Sequence, residues 1–184
     1  MSTPIFRGSG SAPAFRKSKS ASGAEVDTSG DEACNSTRAK KITAAVSWLK
    51  SHANDISSTC VKNDGTDWAC SGSAKTCFAG HAKSSNPRTV LSTTLASSDF
   101  VIHCYDCWLK HVFSPDAVAF TNCGQWEQAQ QDIHLCIDFV DSANAKEIAC
   151  VIAHEIMHVW GADENAADAM VNKFAGLPST WDCP

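Results

Sequence analysis

Two histidines and one glutamate near the C-terminal end of the chain stand at a spacing that suits a single metal ion. In the run from His154 to His158 the two imidazoles lie four residues apart, so on a helix they point to the same side. Glu155, beside the first histidine, can accept and donate a proton next to the same ion. The spacing therefore predicts a helix in which His154 and His158 bind Zn²⁺ and Glu155 acts as a general base.

Apolar residues occupy almost every other side of this predicted helix, as in the buried central helix of a small protein. Burying a glutamate without a partner is costly, so the helix needs a group that satisfies Glu155 and the histidines. A metal ion meets that need, whereas the alternative is a core helix whose histidines only hydrogen-bond to the backbone. The apolar residues are Ile148, Val151, Ile152, Ile156, Val159 and Trp160.

A catalytic zinc site uses three protein ligands and keeps its fourth position for water, so a third ligand is needed. Glu164 is the preferred candidate, because Gly161 can adopt a positive φ and turn the chain back beneath the metal. Asp163 and Asp168 are the alternatives for this ligand. We expect Asp163 to cap a second helix. We expect Asp168, one turn after Glu164, to hydrogen-bond a ligand histidine and fix its tautomer.

These residues resemble the motifs of the zincin metallopeptidases. The run from His154 to Glu164 is similar to the metzincin consensus, with Glu where that family has His or Asp. Glu164 and Asp168 are similar to the Glu-x-x-x-Asp pair of gluzincins, which lies farther from the second histidine. The likeness that covers most of the chain is to the deuterolysin-like aspzincin proteases. Their Cys-rich strand, Ile-x-Leu-Cys strand, H-E-x-x-H helix and Gly-Thr-x-Asp turn match residues 100–107, 133–136, 154–158 and 161–164.

The resemblance implies a zincin-like fold, a zinc cofactor and cleavage of peptide bonds. It also implies that the strand before the metal helix, residues 133–139, runs along the cleft with a free edge for the substrate. Two departures stand out, since Glu164 replaces the ligand Asp and Ala167 stands where the family has a tyrosine assigned to transition-state stabilisation. Another group must then stabilise the oxyanion. The candidates are Tyr105, which comes first as the one tyrosine of the chain, followed by His103, His111 and His134.

Ten cysteines form the second strong pattern of the chain. Such a density is typical of oxidising compartments, and the even count lets every cysteine pair. Cys104 and Cys107 have the spacing of a zinc ribbon or a redox motif, but a ribbon needs a second such pair and a redox pair opens a helix. We therefore expect ordinary disulfides there. Cys150 lies one turn before His154, and we expect it to be bridged or buried.

The composition predicts one small exported domain. A chain of 184 residues, 43% of them hydrophobic, is long enough for one core and too short to promise two. Residues 1–33 are rich in small and polar residues and predict a disordered tail without a secretory signal peptide, leaving residues 34–184 as the domain. No stretch approaches the twenty apolar residues of a membrane span. We expect a secreted, periplasmic or extracellular location, reached after removal of a leader or by leaderless delivery.

The apolar patterns predict an α+β fold: a small mixed or antiparallel sheet with the metal-binding helix at its centre. Helical spacing predicts a helix over residues 39–52. Strand-like runs predict strands at residues 89–95, 100–104, 117–121 and 133–139. A helix after Asp163 would bury the stripe formed by Ala167, Met170, Val171 and Phe174.

These patterns together lead to the interpretation of a disulfide-stabilised zinc metallopeptidase that uses a metal-activated water, with Glu155 serving first as base and then as acid. The substrate is a protein or the peptide part of peptidoglycan, as for a secreted toxin or effector. We expect a monomer, with an inhibitor or immunity protein as a further partner. Residues 42–184 carry eight Lys or Arg against sixteen Asp or Glu, which argues against nucleic acid. The alternatives are a non-catalytic protein with a four-ligand structural zinc and a disulfide-rich interaction protein without a metal.

Overall fold

The computed structural model describes residues 23–28, 34–56, 58–62, 86–107, 117–121 and 131–171. In chain order its elements are β1 Glu25–Val26, α1 Ser36–His52, α2 Pro87–Ala96, β2 Phe100–Tyr105, β3 Ala119–Thr121, β4 Gln131–Cys136, α3 Ile137–Ser142, α4 Ala145–Val159 and α5 Glu164–Val171. Within these ranges no helix is long and apolar enough to cross a membrane.

The strands form one mixed sheet in the order β1-β2-β4-β3, in which β3 alone among them runs antiparallel to its neighbour. Side chains alternate between the two faces of a strand, and Phe100, Ile102 and Cys104 of β2 are buried together with Ile133 and Leu135 of β4. The helix α4 packs against β3 and β4, and α1, α2 and α5 pack around α4. The predicted α+β class is therefore confirmed, with α4 at the centre of the core.

The helix α1 begins three residues before the predicted start at residue 39. Asn35 caps it, because its side-chain oxygen accepts hydrogen bonds from the backbone N–H groups of Thr37 and Arg38 at 3.0 and 2.9 Å. Its core face has the predicted helical spacing, so α1 buries a continuous stripe against α4. The buried residues of this stripe are Ile42, Ala45, Val46 and Leu49.

The strand predicted at residues 89–95 is wrong, since these residues belong to α2. Their β-branched side chains favour a strand. The residues at the start of the segment favour a helix instead. The side chain of Asn86 accepts a hydrogen bond from the backbone N–H of Arg88 at 2.9 Å, which caps the helix. Pro87 occupies the first turn, where helices tolerate proline. Packing against α4 then stabilises the helix, whose buried residues are Pro87, Val90, Leu91, Thr94 and Leu95.

The strand predicted at residues 133–139 is correct only as far as Cys136, because the chain turns into α3 at Ile137. The cleft role inferred for these residues is also wrong. β4 is hydrogen-bonded to β2 on one side and to β3 on the other, so it has no free edge for a substrate. Among the described strands, β3 and β1 form the edges.

The predicted disordered tail, residues 1–33, needs correction at residues 23–28. β1 adds a parallel strand to the sheet, and the backbone N–H of Asp27 donates to the carbonyl of Ile102 at 2.8 Å. Gly23 has a φ of +93° and lies so close to the carbonyl of Leu95 that a side chain there would clash. Nothing in the sequence marks this pairing, since it depends on a partner strand far along the chain. The other residues of the tail lie outside the described ranges.

Two disulfides lie at the carboxyl ends of the central strands β2 and β4. Cys34 pairs with Cys104, and Cys107 pairs with Cys136. The two cysteines of the C-x-x-C pattern therefore bond to different partners, which excludes a redox pair or a zinc ribbon at this position. Cys150 is also disulfide-bonded and fully buried, as the sequence predicts. In the described part of the chain no cysteine is free.

Asn144 fixes the start of the central helix α4. Its side-chain oxygen accepts from the backbone N–H groups of Lys146 and Glu147, and its own N–H donates to the Glu147 carboxylate at 2.6 Å, which is a capping box. We expect Asn144→Ala to lower the free energy of unfolding by about 1 kcal/mol, measured by urea denaturation. Lys146→Ala, an exposed change in the same turn, is the control. Equal stability of the two variants would contradict the role of the cap.

Candidate metal centre

The two histidines and the glutamate of the motif lie on α4, as the sequence predicts. All three are buried, with exposed fractions of 9% for His154, 7% for Glu155 and 8% for His158. The Nε2 atoms of the two imidazoles lie 2.9 Å apart, so the rings converge on one point. That convergence follows from the spacing of four residues on one helix.

Gly161 turns the chain out of α4, as predicted. Its φ is +92°, a conformation that costs glycine little. The N–H of Gly161 donates to the carbonyl of His158 at 2.8 Å, and the N–H of Ala162 donates to the carbonyl of Met157 at 3.0 Å. This pair of bonds is a Schellman motif, which satisfies the last carbonyls of the helix. The turn brings the next residues back under the two imidazoles.

Glu164 is the acidic residue that the turn delivers to both histidines. Its Oε1 lies 3.2 Å from Nε2 of His154, and its Oε2 lies 3.2 Å from Nε2 of His158. One ligand atom from each of the three residues lies within 4.8 Å of the others. His154, His158 and Glu164 thus form a group that could hold a metal ion, with the donor atoms that the sequence predicts.

The two rivals for the third ligand have other partners. Asp163 is fully buried, and its Oδ1 accepts from the backbone N–H of Ala166 at 3.0 Å, so it caps α5 as predicted. Oδ1 of Asp168 lies 3.0 Å from Nδ1 of His154. The carboxylate of Asp168 therefore holds the ring of His154 from behind, which is the position the sequence predicts for it.

Both histidines of the group are oriented through their Nδ1 atoms. His158 Nδ1 lies 2.8 Å from the carbonyl of Ala162; a carbonyl only accepts, so this nitrogen carries the proton. His154 Nδ1 faces Asp168 in the same way. In the neutral imidazoles the Nε2 lone pairs then point into the group formed with Glu164, where an ion can accept them. The donor set and its tautomers fit a divalent metal.

The carboxylates of the group stabilise the protonated histidines, and the histidines stabilise the ionised Glu164. Burial alone would lower the pKa of His154, but its hydrogen bonds with Asp168 and Glu164 outweigh burial and raise that pKa to about 10. The pKa of His158 is raised as well, because its hydrogen bond with Glu164 outweighs burial and the repulsion from His154. Hydrogen bonds from both histidines lower the pKa of the Glu164 carboxyl far below its usual value. The charge of Glu155 acts on both rings in the same direction as Glu164.

Three of the four candidates for an oxyanion donor, Tyr105, His103 and His134, lie on the strands β2 and β4. The ring of Tyr105 contacts the rings of Phe120 and His134 edge-on. His103 stacks on His134, and its two nitrogens lie 3.1 and 3.3 Å from carboxylate oxygens of two aspartates, Asp27 and Asp132. The side chains of His103, Tyr105 and His134 alternate with the buried residues of β2 and β4, so they occupy the sheet face turned away from α4.

The structure therefore gathers Tyr105, His103 and His134 in a separate cluster and does not bring them to the metal group. The helper role assigned to Tyr105 stays a prediction, and His111 lies outside the described residues. Sequence reasoning missed one contact of the site, the Ala162 carbonyl that orients His158. Gly161 could have indicated this contact, because a Schellman turn at a glycine fixes the direction of the peptide that follows it.

No known protein family, curated protein or solved structure matches this chain. The chemistry of the group formed by His154, His158 and Glu164 follows from the residues themselves: three converging donors, a buried carboxylate beside them and oriented imidazoles.

Removing Glu164 should weaken metal binding. We expect Glu164→Ala to lower the affinity for Zn²⁺ by more than the roughly 10–100-fold that is lost when a residue only orients a ligand, measured by competition with a chromophoric chelator. Asp138→Ala, which removes an exposed carboxylate of α3, is the matched control. Equal affinities for these two variants would show that Glu164 is not a ligand.

Stability should depend on pH once the metal is stripped by a chelator. The pKa of His154 rises from its usual 6.5 to about 10 on folding, so the stability linked to its proton is complete below pH 6.5 and is lost as the pH rises toward 10. One proton gives a slope of at most about 1.4 kcal/mol per pH unit. We expect urea unfolding between pH 6.5 and 9.5 to show this decline, and excess Zn²⁺ to flatten it because the ion replaces the protons. The same slope in a His154→Gln variant would refute the assignment.

Proposed function

We propose that this protein is a zinc-dependent peptidase of the zincin type, with His154, His158 and Glu164 as the metal ligands. The observation that supports the proposal most is the meeting of two imidazole nitrogens and one carboxylate within 4.8 Å. A buried glutamate, Glu155, lies directly beside the first ligand. These four side chains are the minimum that water-based hydrolysis on a metal needs.

The donor set favours zinc over calcium and magnesium. Calcium and magnesium prefer oxygen ligands throughout, whereas two imidazoles and one carboxylate are a known ligand set of catalytic zinc. Three protein ligands also leave a fourth position for water, in contrast to the four ligands of structural zinc. In the described chain the group has three members, which favours the catalytic alternative over a purely structural zinc.

Zinc held by His154, His158 and Glu164 would supply an activated water and polarise the scissile carbonyl. Glu155 would accept a proton from the attacking water and pass it to the departing amine, so that the amine leaves neutral. Asp168 and the Ala162 carbonyl contact the Nδ1 atoms of the two imidazoles and so fix the orientation of the rings. The side chain of Glu164 is 62% exposed and that of Asp168 is 43% exposed, so a substrate can approach from the side of α5.

The cysteine pairing supports action outside the cytoplasm. The disulfides Cys34–Cys104 and Cys107–Cys136 persist in oxidising compartments and are rare in reducing ones. We propose that the protein is exported and cleaves peptide bonds of proteins or of peptidoglycan, as a monomeric effector or toxin would. A producing cell exposed to such an enzyme needs an inhibitor or immunity protein as its partner.

Replacing Glu155 by Gln separates an enzyme from a protein that only binds zinc. We expect Glu155→Gln to keep one Zn²⁺ per chain and to lose about 10²–10⁴-fold in turnover, because the amide cannot accept the proton. Hydrolysis is measured on a fluorescent casein and on purified peptidoglycan, and zinc is measured by elemental analysis.

The matched control is Glu147→Gln, the same change on the same helix, since glutamine also serves in a capping box. Unchanged turnover in Glu155→Gln would refute the mechanism. A wild-type protein that holds zinc and cleaves neither substrate would instead favour the non-catalytic alternative.

A further inference from the structure

A buried hydrogen bond joins α2 to the turn that follows the metal-binding histidines. Trp160 comes two residues after His158, and its indole Nε1–H donates to the hydroxyl of Thr94 at 2.8 Å. Thr94 is 1% exposed and Trp160 is 9% exposed. A buried indole N–H needs an acceptor, and the Thr94 hydroxyl supplies one from a neighbouring helix. The bond therefore fixes where the indole ring can lie.

The turn that contains Trp160 leads directly to the Ala162 carbonyl and to Glu164, which both contact the histidines of the metal group. The backbone N–H of Trp160 closes the last turn of α4 on Ile156 and Met157. Two residues later the carbonyl of Ala162 accepts the hydrogen bond that orients His158. Glu164 follows after two more residues and contacts both ligand histidines. A shift of the Trp160 ring would therefore move the Ala162 carbonyl away from His158. It would also move the backbone that carries Glu164.

Thr94 is a polar residue on an otherwise apolar face. Its buried neighbours on α2 are Val90, Leu91 and Leu95, which supply hydrophobic packing against α4 without any hydrogen bond. Valine has nearly the shape of threonine and lacks the hydroxyl. The packing of α2 is therefore separable from the hydrogen bond to Trp160.

We propose that Thr94 is a positioning residue of the metal group, acting through Trp160 on the orientation of His158 and the placement of Glu164. The inference rests on the metal site of the proposed function. It assigns to α2, which contributes no ligand, a share in the metal affinity.

The test compares Thr94→Val with Thr94→Ser in the full, oxidised chain. We expect Thr94→Val to weaken Zn²⁺ binding about 10–100-fold, the loss typical of residues that orient a ligand, and Thr94→Ser to stay near the wild type because it keeps the hydroxyl. Val90→Ala is the control, since it removes apolar packing from the same helix and leaves the hydroxyl of Thr94 and the indole of Trp160 in place. It should lower the free energy of unfolding and leave the zinc affinity unchanged.

A second readout needs no metal. In the chelator-treated protein, the Nδ1 proton of His158 should exchange slowly with solvent by NMR, and Thr94→Val should make it exchange at least ten-fold faster. If Thr94→Val does not fold, Trp160→Phe replaces it, since that variant removes the indole donor and keeps an aromatic ring.

Zinc affinity and proton exchange equal to the wild type in Thr94→Val, or an equal loss in Val90→Ala, would overturn the inference. A wild-type chain that binds zinc without cleaving peptides would refute the proposed function and leave the role of Thr94 standing.

Discussion

Three polar side chains buried on an apolar helix are the constraint on which the structure around the site depends. His154, Glu155 and His158 are each less than one-tenth exposed, and buried polar groups are costly unless they have partners. The turn and the helix that follow α4 supply partners for the two histidines. The following helix supplies the carboxylates of Glu164 and Asp168, and the turn between the helices supplies a backbone carbonyl. The positions of the two imidazoles are thus fixed by their hydrogen-bond partners as well as by packing.

The same constraint explains why the site is built from two helices joined by a tight turn. Glu164 follows His158 by only six residues, so its carboxylate can reach both imidazoles only because the chain reverses between them. The positive φ of Gly161 permits that reversal, and the buried side chain of Asp163 starts the next helix at once. Behind α4, the mixed sheet supplies a flat apolar face, and the disulfides at the ends of β2 and β4 hold that face together.

Protons and a metal ion would compete for the nitrogen atoms of this group. Without an ion, the closeness of two imidazoles and two carboxylates favours protonated histidines and ionised Glu164, so the group satisfies itself as a network of ion pairs. An ion would displace protons from Nε2 while the Nδ1 hydrogen bonds stay in place. The cluster of His103, Tyr105 and His134 on the other face of the sheet follows a different pattern, in which the rings contact one another and the two nitrogens of His103 lie beside two aspartates.

Spacing along the chain determined the candidate site, and tertiary structure determined what surrounds it. The convergence of His154 and His158, the turn at Gly161, the cap at Asp163 and the approach of Glu164 all lie within one short stretch, where helix geometry fixes the outcome. The helix at residues 87–96, the pairing of β1 and the position of β4 inside the sheet depend on partners far away in the sequence. Tyr105 illustrates the difference: the strand predicted at residues 100–104 is confirmed and extends to Tyr105, but the sheet face on which this residue lies was decided by which face packs against α4. Helix caps and apolar periodicity depend on residues that are close in the sequence. The order of the strands and the face of the sheet that is buried depend instead on packing of the whole core.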